Sequence, residues 1–243
     1  MKMRSKYLLI LTLKIFNSSL FQLILRAKIK NAEKILLDNE RDTYECFLKM
    51  LKDMNYINEN NNGEFILCSK GIVANDIYGH EILSTKLLFS EVFKHLMPNE
   101  LAALCSCLVT QRIGKDDDSD DMPNNLSEKV TEMKEICLHS YDKILSNSIP
   151  FDAEDFMSLS VIYSCVKAVF EWANNKSFSE IKKHTQKIME GQMVSVITKV
   201  YSLLKSFSAT AEKMGDEILV ERCNVASDMI KRGIPFARSI YLY

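Results

Sequence analysis

The sequence predicts an all-α protein, a multi-helix bundle carrying one small β-hairpin near residues 56–68. Three observations predict it. Only 7 Gly and 4 Pro occur in 243 residues, too few breakers for a sandwich, a barrel or a doubly wound sheet with its many tight turns. Apolar residues recur at helical spacing over most of the chain. A hairpin signal stands at Asn58-Glu-Asn-Asn-Asn-Gly63, flanked by Tyr56-Ile57 and Phe65-Ile66-Leu67. With 47% hydrophobic and 26% charged residues, the chain can bury a sizeable core. Its formal net charge of -1 excludes a uniformly basic nucleic-acid binder, although the charge is unevenly spread.

The first 37 residues carry eight Lys/Arg (2, 4, 6, 14, 26, 28, 30, 34) against one acid, Glu33. Lys2, Arg4 and Lys6 precede an apolar run from Tyr7 to Phe16, and a second run ends at Leu25, the form of a signal peptide or a borderline membrane anchor. Lys14, Asn17, Ser18, Ser19 and Gln22 interrupt that stretch, so a helix that packs on a partner domain explains it as well. A membrane is not the expected partner. Residues 1–40 are read as an unassigned basic, apolar arm, and residues 41–243 as the helical domain.

Residues 43–54 set Tyr44, Phe47, Leu48, Leu51 and Met54 at helical spacing. The hairpin that follows suits a winged nucleic-acid element or, more simply, a device tying down helix packing, with Lys70 as the only basic residue of its second strand. Helical patterns continue at about 70–77, 80–95 and 98–111, the last opened by Pro98 at a favourable early position. Lys115-DDDSDDMPNN interrupts them. Five Asp in six residues repel one another, so this run is read as a solvated loop. Helices resume at about 126–146, from Asp152 to about Asn174, and at about 177–185, opened by Ser177 or Ser179. A long helix covers about 187–214 and closes at Gly215 as its C-cap. The last runs over about 216–232, stopped by Gly233 and Pro235. No internal repeat is evident.

Catalytic motifs are missing. There is no GxxxxGK(S/T) phosphate loop and no DExH or DExD stretch with its companion motifs, so ATP hydrolysis has no visible machinery. GxSxG, HExxH and a usable Cys/His nucleophile are also absent from the sequence. The seven Cys (46, 68, 105, 107, 137, 165, 223) lack zinc spacing and sit mostly in apolar helical runs, as reduced core residues do. The four His (80, 95, 139, 184) are isolated from one another. The residues themselves describe a binding or scaffolding module.

Four blocks carry a family resemblance. Tyr44-ECFLKMLKDMNYIN is similar to YxxRxxVLxxLGYID, and Lys70-GIVANDIYGHEILSTKLLF to LKGRVACEIxSxxELLLTELLF. Leu96-MPNELAALCSCLVTQ is similar to LxPEEIAALLSCFVFQ, and Met229-IKRGIPFARSIYLY to LIKRDIVFAASLYL. In that order, over about four-fifths of the chain, they resemble the C-terminal helical domain (DSHCT) of the DExH RNA helicases that feed the exosome. Those are the superkiller type, its nuclear messenger-RNA-transport relative and the bacterial HelY type. Departures are clear: the family Arg of the first block falls on Phe47, its Gly on Asn55, and a Glu of the second block on Lys86. The long helix resembles the family's ratchet helix, EGSxxRxxRRLEELL, which lines an RNA exit path. Here it reads Glu190-GQMVSVITKVYSLLK, with Ser195, Thr198 and Lys199 in place of Arg, and Tyr201 and Ser202 in place of Glu.

Helical geometry gives the same segment two faces. Met193, Ile197, Val200, Leu204, Phe207 and Ala211 recur at steps of three and four, one buried stripe. At about 100° per residue, Ser195, Lys199, Ser202, Ser206 and Lys213 form the opposite stripe. Small hydroxyls with interspersed Lys can approach a sugar-phosphate backbone without reading its sequence. Between 176 and 213 there are seven Lys (176, 182, 183, 187, 199, 205, 213) against three Glu. No aromatic is evident on the stripe, Tyr201 lying near the core edge. An ordinary solvated helix face has the same composition.

The resemblance implies a non-catalytic, RNA-guiding helical domain of an ATP-dependent RNA helicase acting in exosome-linked RNA processing or decay. Single-stranded RNA, helicase motor domains and exosome cofactors are the implied partners, in the nucleus or the cytoplasm. ATP and Mg2+ belong to the parent motor, and no cofactor is expected in this chain. The eroded ratchet pattern and the apolar arm, which would need a partner or a membrane, also suit an alternative, a protein-interaction scaffold, membrane-associated in one form, that has lost RNA contact.

Overall fold

The computed structural model describes residues 40–77, 80–93, 95–110, 122, 124–146, 162–185 and 188–237. The N-terminal arm, most of the acidic run and the expected helical stretch over 152–161 lie outside them. The architecture is helical with a single two-stranded antiparallel sheet among the described residues. The chain divides into two compact units, Met1–Thr85 with His139–Ser158, and Lys86–Leu138 with Leu159–Tyr243.

In the first unit, α1 (Glu40–Asp53) buries Phe47 and Met50, and Met54 just past its end is buried on the same side. It ends where Asn55 turns left-handed at φ 60°. The Asn55 amide donates to Lys52 and the Tyr56 amide to Leu51, the double bond of a Schellman cap. Asn is among the non-glycine residues that best tolerate this conformation, so the family's Gly is replaced here without loss of the turn. β1 (Ile57–Glu59) pairs with β2 (Phe65–Leu67) in the register Ile57↔Leu67 and Glu59↔Phe65. The Asn60 side chain closes the turn by accepting from the amides of Asn62 and Glu64, each at 2.9 Å. Next comes α2 (Ser69–Asp76). Its Gly71 meets the hairpin so closely that a Cβ there would stand 2.1 Å from the Tyr56 carbonyl oxygen. The hairpin is thus packed onto α2, and Lys70 lies in the first turn of that helix rather than on a strand. The buried Tyr56 hydroxyl donates to the Ile82 carbonyl at 3.2 Å.

The sequence expectation of a helix over 80–95 is corrected: α3 spans Glu81–Leu88. The Ser90 hydroxyl donates to the Leu87 carbonyl and accepts from the Val92 amide, a local alternative that stops a helix. Val92 and Phe93 then enter the core of the second unit from non-helical backbone.

In that unit, α4 (Pro98–Val109) starts with Pro98, and Glu100 accepts from the Met97 amide at 2.9 Å. All eight residues from Leu101 to Leu108 are buried. A helix covered on every side needs no polar face, and this one is the hub. It packs on α6 (Val166–Ala173), α8 (Glu190–Met214) and α9 (Glu217–Ile230). α5 (Asn124–Ser146) buries Leu126, Val130, Met133 and Cys137 along one stripe. The expected helix reaching Asn174 begins only at Val166 among the described residues, because Ile162–Cys165 are non-helical and the Ile162 amide donates to the Cys107 carbonyl. α7 (Phe178–Lys182) is opened by Ser177, in a reciprocal capping box with Glu180. Those hydrogen bonds from Ser177, first its hydroxyl and then its amide, hold the Glu180 carboxyl below its ordinary range. α8 closes at Gly215, φ 74°, whose neighbour Asp216 returns its amide to the Ala211 carbonyl. The Asp216 side chain then caps α9 through the Leu219 amide at 3.0 Å.

The tail fastens the bundle. Trp172 of α6 is 2% exposed, and its indole Nε1 donates to the Ile230 carbonyl at the end of α9, 3.0 Å away. In return, the Arg232 guanidinium lies 3.7 Å from the Trp172 ring centroid and donates to the carbonyls of Trp172 and Lys176. Gly233, at φ 62°, passes so near that a Cβ would meet the indole at 3.1 Å. A 3-10 turn, Ile234–Phe236, follows and packs on α8.

Candidate nucleic-acid interface

α8 is held on two sides. The Lys205 ammonium and the Ser208 hydroxyl both donate to the Asn224 side-chain oxygen of α9, each at 3.2 Å. Near its start, Val196 lines a shallow cleft together with Val109 and Thr110 at the end of α4. Met193, Ile197, Val200, Leu204, Phe207 and Ala211 are all 0% exposed, so the apolar stripe is the buried one.

The opposite side is open to solvent, but its centre is displaced from the stripe read in the sequence. Lys199, Ser202 and Lys213 are exposed, while Ser195 and Ser206 are only partly exposed. Val196, Leu203 and Thr210, which flank those two serines, are buried. Lys205 and Ala209, on the other flank, are exposed. By helical angle, Lys205 lies about 80° from Ser195, on the side away from Lys199. The outward arc therefore runs from Lys199 through Ser202 and Lys213 to Lys205, with Glu212 as an acid at its edge.

Chemically the arc is a donor surface of moderate strength. The Ser202 hydroxyl donates to the Thr198 carbonyl at 3.1 Å, and Thr198 bonds back to Val194 and Ser195. These hydroxyls keep their lone pairs outward and can rotate to donate. Among the described residues, Lys199 has no ion-pair partner. Ser195 and Lys199 also edge the cleft, beside Gln192 and above the buried Cys165. Of the other lysines in the basic stretch, Lys176 pairs with Glu180 at 3.8 Å. Lys182 is spent on the carbonyls of Thr185 and Ile188. Lys187 lies outside the described residues.

One neighbour of the arc was not legible from the sequence. Tyr201 is partly exposed and meets Phe236 of the 3-10 turn edge to face, ring centroids 5.2 Å apart. Thirty-odd residues separate the two rings in sequence, and no periodicity links them.

Among the described residues, no activated thiol or imidazole accompanies the arc. Burial pushes the Cys165, Cys105 and Cys107 thiols up, and that of Cys223 to about 12, so all four are protonated at neutral pH and poor nucleophiles. Burial lowers the pKa of His80, and the neighbouring Glu81 only partly offsets it. His184 is satisfied by Glu171, 2.8 Å away. Among the described residues, no three His, Cys, Asp or Glu side chains cluster so as to hold a metal ion, and no helix is long and apolar enough to cross a membrane.

The model of the DSHCT (NUC185) domain matches residues 65–237, well over half of the chain. The chain belongs to the DSHCT domain family. Relatives align over more residues than the domain match covers. Superkiller complex protein 2 of Mus musculus is 28% identical over 198 residues, 82% of this chain and 15% of that protein. The antiviral helicase SKI2 of Saccharomyces cerevisiae is 28% identical over 229 residues, 90% of this chain and 17% of the relative. The exosome RNA helicase MTR4 of Homo sapiens is 26% identical over 222 residues, covering 89% and 20%. This DSHCT chain thus spans a fifth or less of those three relatives. Within the DSHCT match lie the hub helix α4, the whole of α8 and the Trp172–Arg232 clasp.

Proposed function

We propose that this DSHCT chain is the non-catalytic, RNA-guiding part of an ATP-dependent RNA helicase acting in exosome-linked RNA processing or decay, in the nucleus or the cytoplasm. One observation carries the reading. The longest helix among the described residues buries its apolar stripe completely and turns a hydroxyl-and-lysine arc to solvent, in a family whose matched relatives are named RNA helicases. Lys199 and Lys205 would neutralise phosphates while the small side chains between them let the backbone come close, contact that positions a strand without reading bases. Motor domains and exosome cofactors are the partners that reading requires.

In this reading ATP and Mg2+ belong to the motor domains, because the sequence carries no phosphate loop.

A second reading, a protein-interaction scaffold, is favoured by apolar residues on the outer side of α9: Ile218 is 63% exposed and Val225 42%. Fluorescence anisotropy of the purified chain with a labelled oligouridylate separates the two. The RNA reading predicts weak binding at low salt, with a log–log salt slope of about -1.4 to -2.8 for two to four phosphate contacts, and no ATP turnover stimulated by RNA. Robust turnover contradicts the non-catalytic assignment, and absence of salt-sensitive binding contradicts the RNA assignment.

A further inference from the structure

The Tyr201–Phe236 pair is built unlike the Phe93–Phe207 pair of the core. Phe93 and Phe207 also meet, at 6.0 Å, but both are buried in the core. Tyr201 and Phe236 remain partly exposed, and two exposed cations attend them. The Lys231 ammonium stands 5.3 Å from the Tyr201 ring centroid and that of Lys205 6.0 Å. Neither lysine has a carboxylate within ion-pair distance among the described residues. Lys205 belongs to the outward arc of α8, so the ring pair continues that arc rather than forming a separate patch. Rings beside cations that hold no carboxylate, continuous with a donor-lined backbone path, are the two components that sequence-independent single-strand binding combines.

We infer that Tyr201 and Phe236 form a stacking seat for one unpaired base of a single-stranded RNA, with Lys205 and Lys231 holding the adjoining phosphates. The inference rests on the RNA reading of α8 and adds to it the contact with a base. Lys231 lies over the Tyr201 ring by cation–π attraction. A base entering the seat takes over that ring face, and the ammonium moves the short distance to phosphate. Every base has a π-face, so the seat orders the strand without selecting a sequence.

The test uses the full chain and an oligouridylate carrying one 2-aminopurine, with an abasic counterpart. Wild type and Tyr201→Phe quench the 2-aminopurine on binding. Tyr201→Leu keeps apolar volume but loses the stacking face, so it loses the quench and binds about tenfold more weakly, with an unchanged salt slope. The abasic RNA binds wild type about as weakly as intact RNA binds Tyr201→Leu, a comparison that requires no altered protein. Undiminished binding and quenching by Tyr201→Leu, or equal affinity of wild type for abasic and intact RNA, overturns the seat. If binding in those cases still responds to Lys199→Glu, the interface on α8 stands without it. No RNA binding by wild type overturns both.

Discussion

Replacing Trp172 by alanine is expected to lower the unfolding free energy by about 3–5 kcal/mol, the range for removing a large buried aromatic. Several contacts fail together. The indole fills the space between α6 and the end of α9, its Nε1 satisfies the Ile230 carbonyl, and its face supports the Arg232 guanidinium. Phe178 of α7 also loses its edge-to-face partner, 6.1 Å away. Trp172→Phe keeps much of the volume and orphans only the carbonyl, which costs about 1–3 kcal/mol. Gly233→Ala tests the same clasp from the other side, because a side chain at φ 62° is strained and its Cβ is pressed against the ring, at about 1–3 kcal/mol. Urea denaturation followed by circular dichroism ranks the three. An alanine variant at Trp172 as stable as wild type removes the clasp from the account.

The double variant Lys199→Glu, Lys213→Glu is expected to bind single-stranded RNA about tenfold or more weakly at low salt, with a salt slope shallower by about 1.4 if each lysine meets one phosphate. Both ammonium groups lie on the outward arc of α8, well away from its core stripe. Lys213 is in the last turn, where a carboxylate is unfavourable by about 0.3–1 kcal/mol against the helix dipole. The neutral pair Lys199→Gln, Lys213→Gln therefore accompanies it, and a thermal melt confirms folding. Anisotropy across a salt series reads both variants. Equal affinity of wild type and the charge-reversed chain contradicts this placement of the RNA.

Much of this was legible because α4 and α8 are simple cases. A helix buried on all sides is written as continuous apolar sequence, as in Leu101–Leu108, and an amphipathic one as a stripe of period near 3.6. Gly215 and Pro98 mark helix ends by rules of backbone geometry. What a helical wheel cannot supply is where the neighbours sit. Packing against α9 through Asn224, and beside the end of α4, leaves Lys205 outside and draws Ser195 and Ser206 partly inward. The same limit hid Phe236, which meets Tyr201 from the 3-10 turn that follows the Arg232–Trp172 clasp. The early stop of α3 depends on one hydroxyl, that of Ser90, competing with a pattern that remains apolar through Phe93.

The central claim is that the outer arc of α8 faces RNA. Photo-crosslinking the full chain to oligoribonucleotides containing 4-thiouridine, followed by peptide mapping, addresses it directly. Adducts are expected within Glu190–Met214, concentrated between Lys199 and Lys213 and competed away by unlabelled single strand and by salt. Adducts confined to other segments, with that helix unmarked, would contradict it.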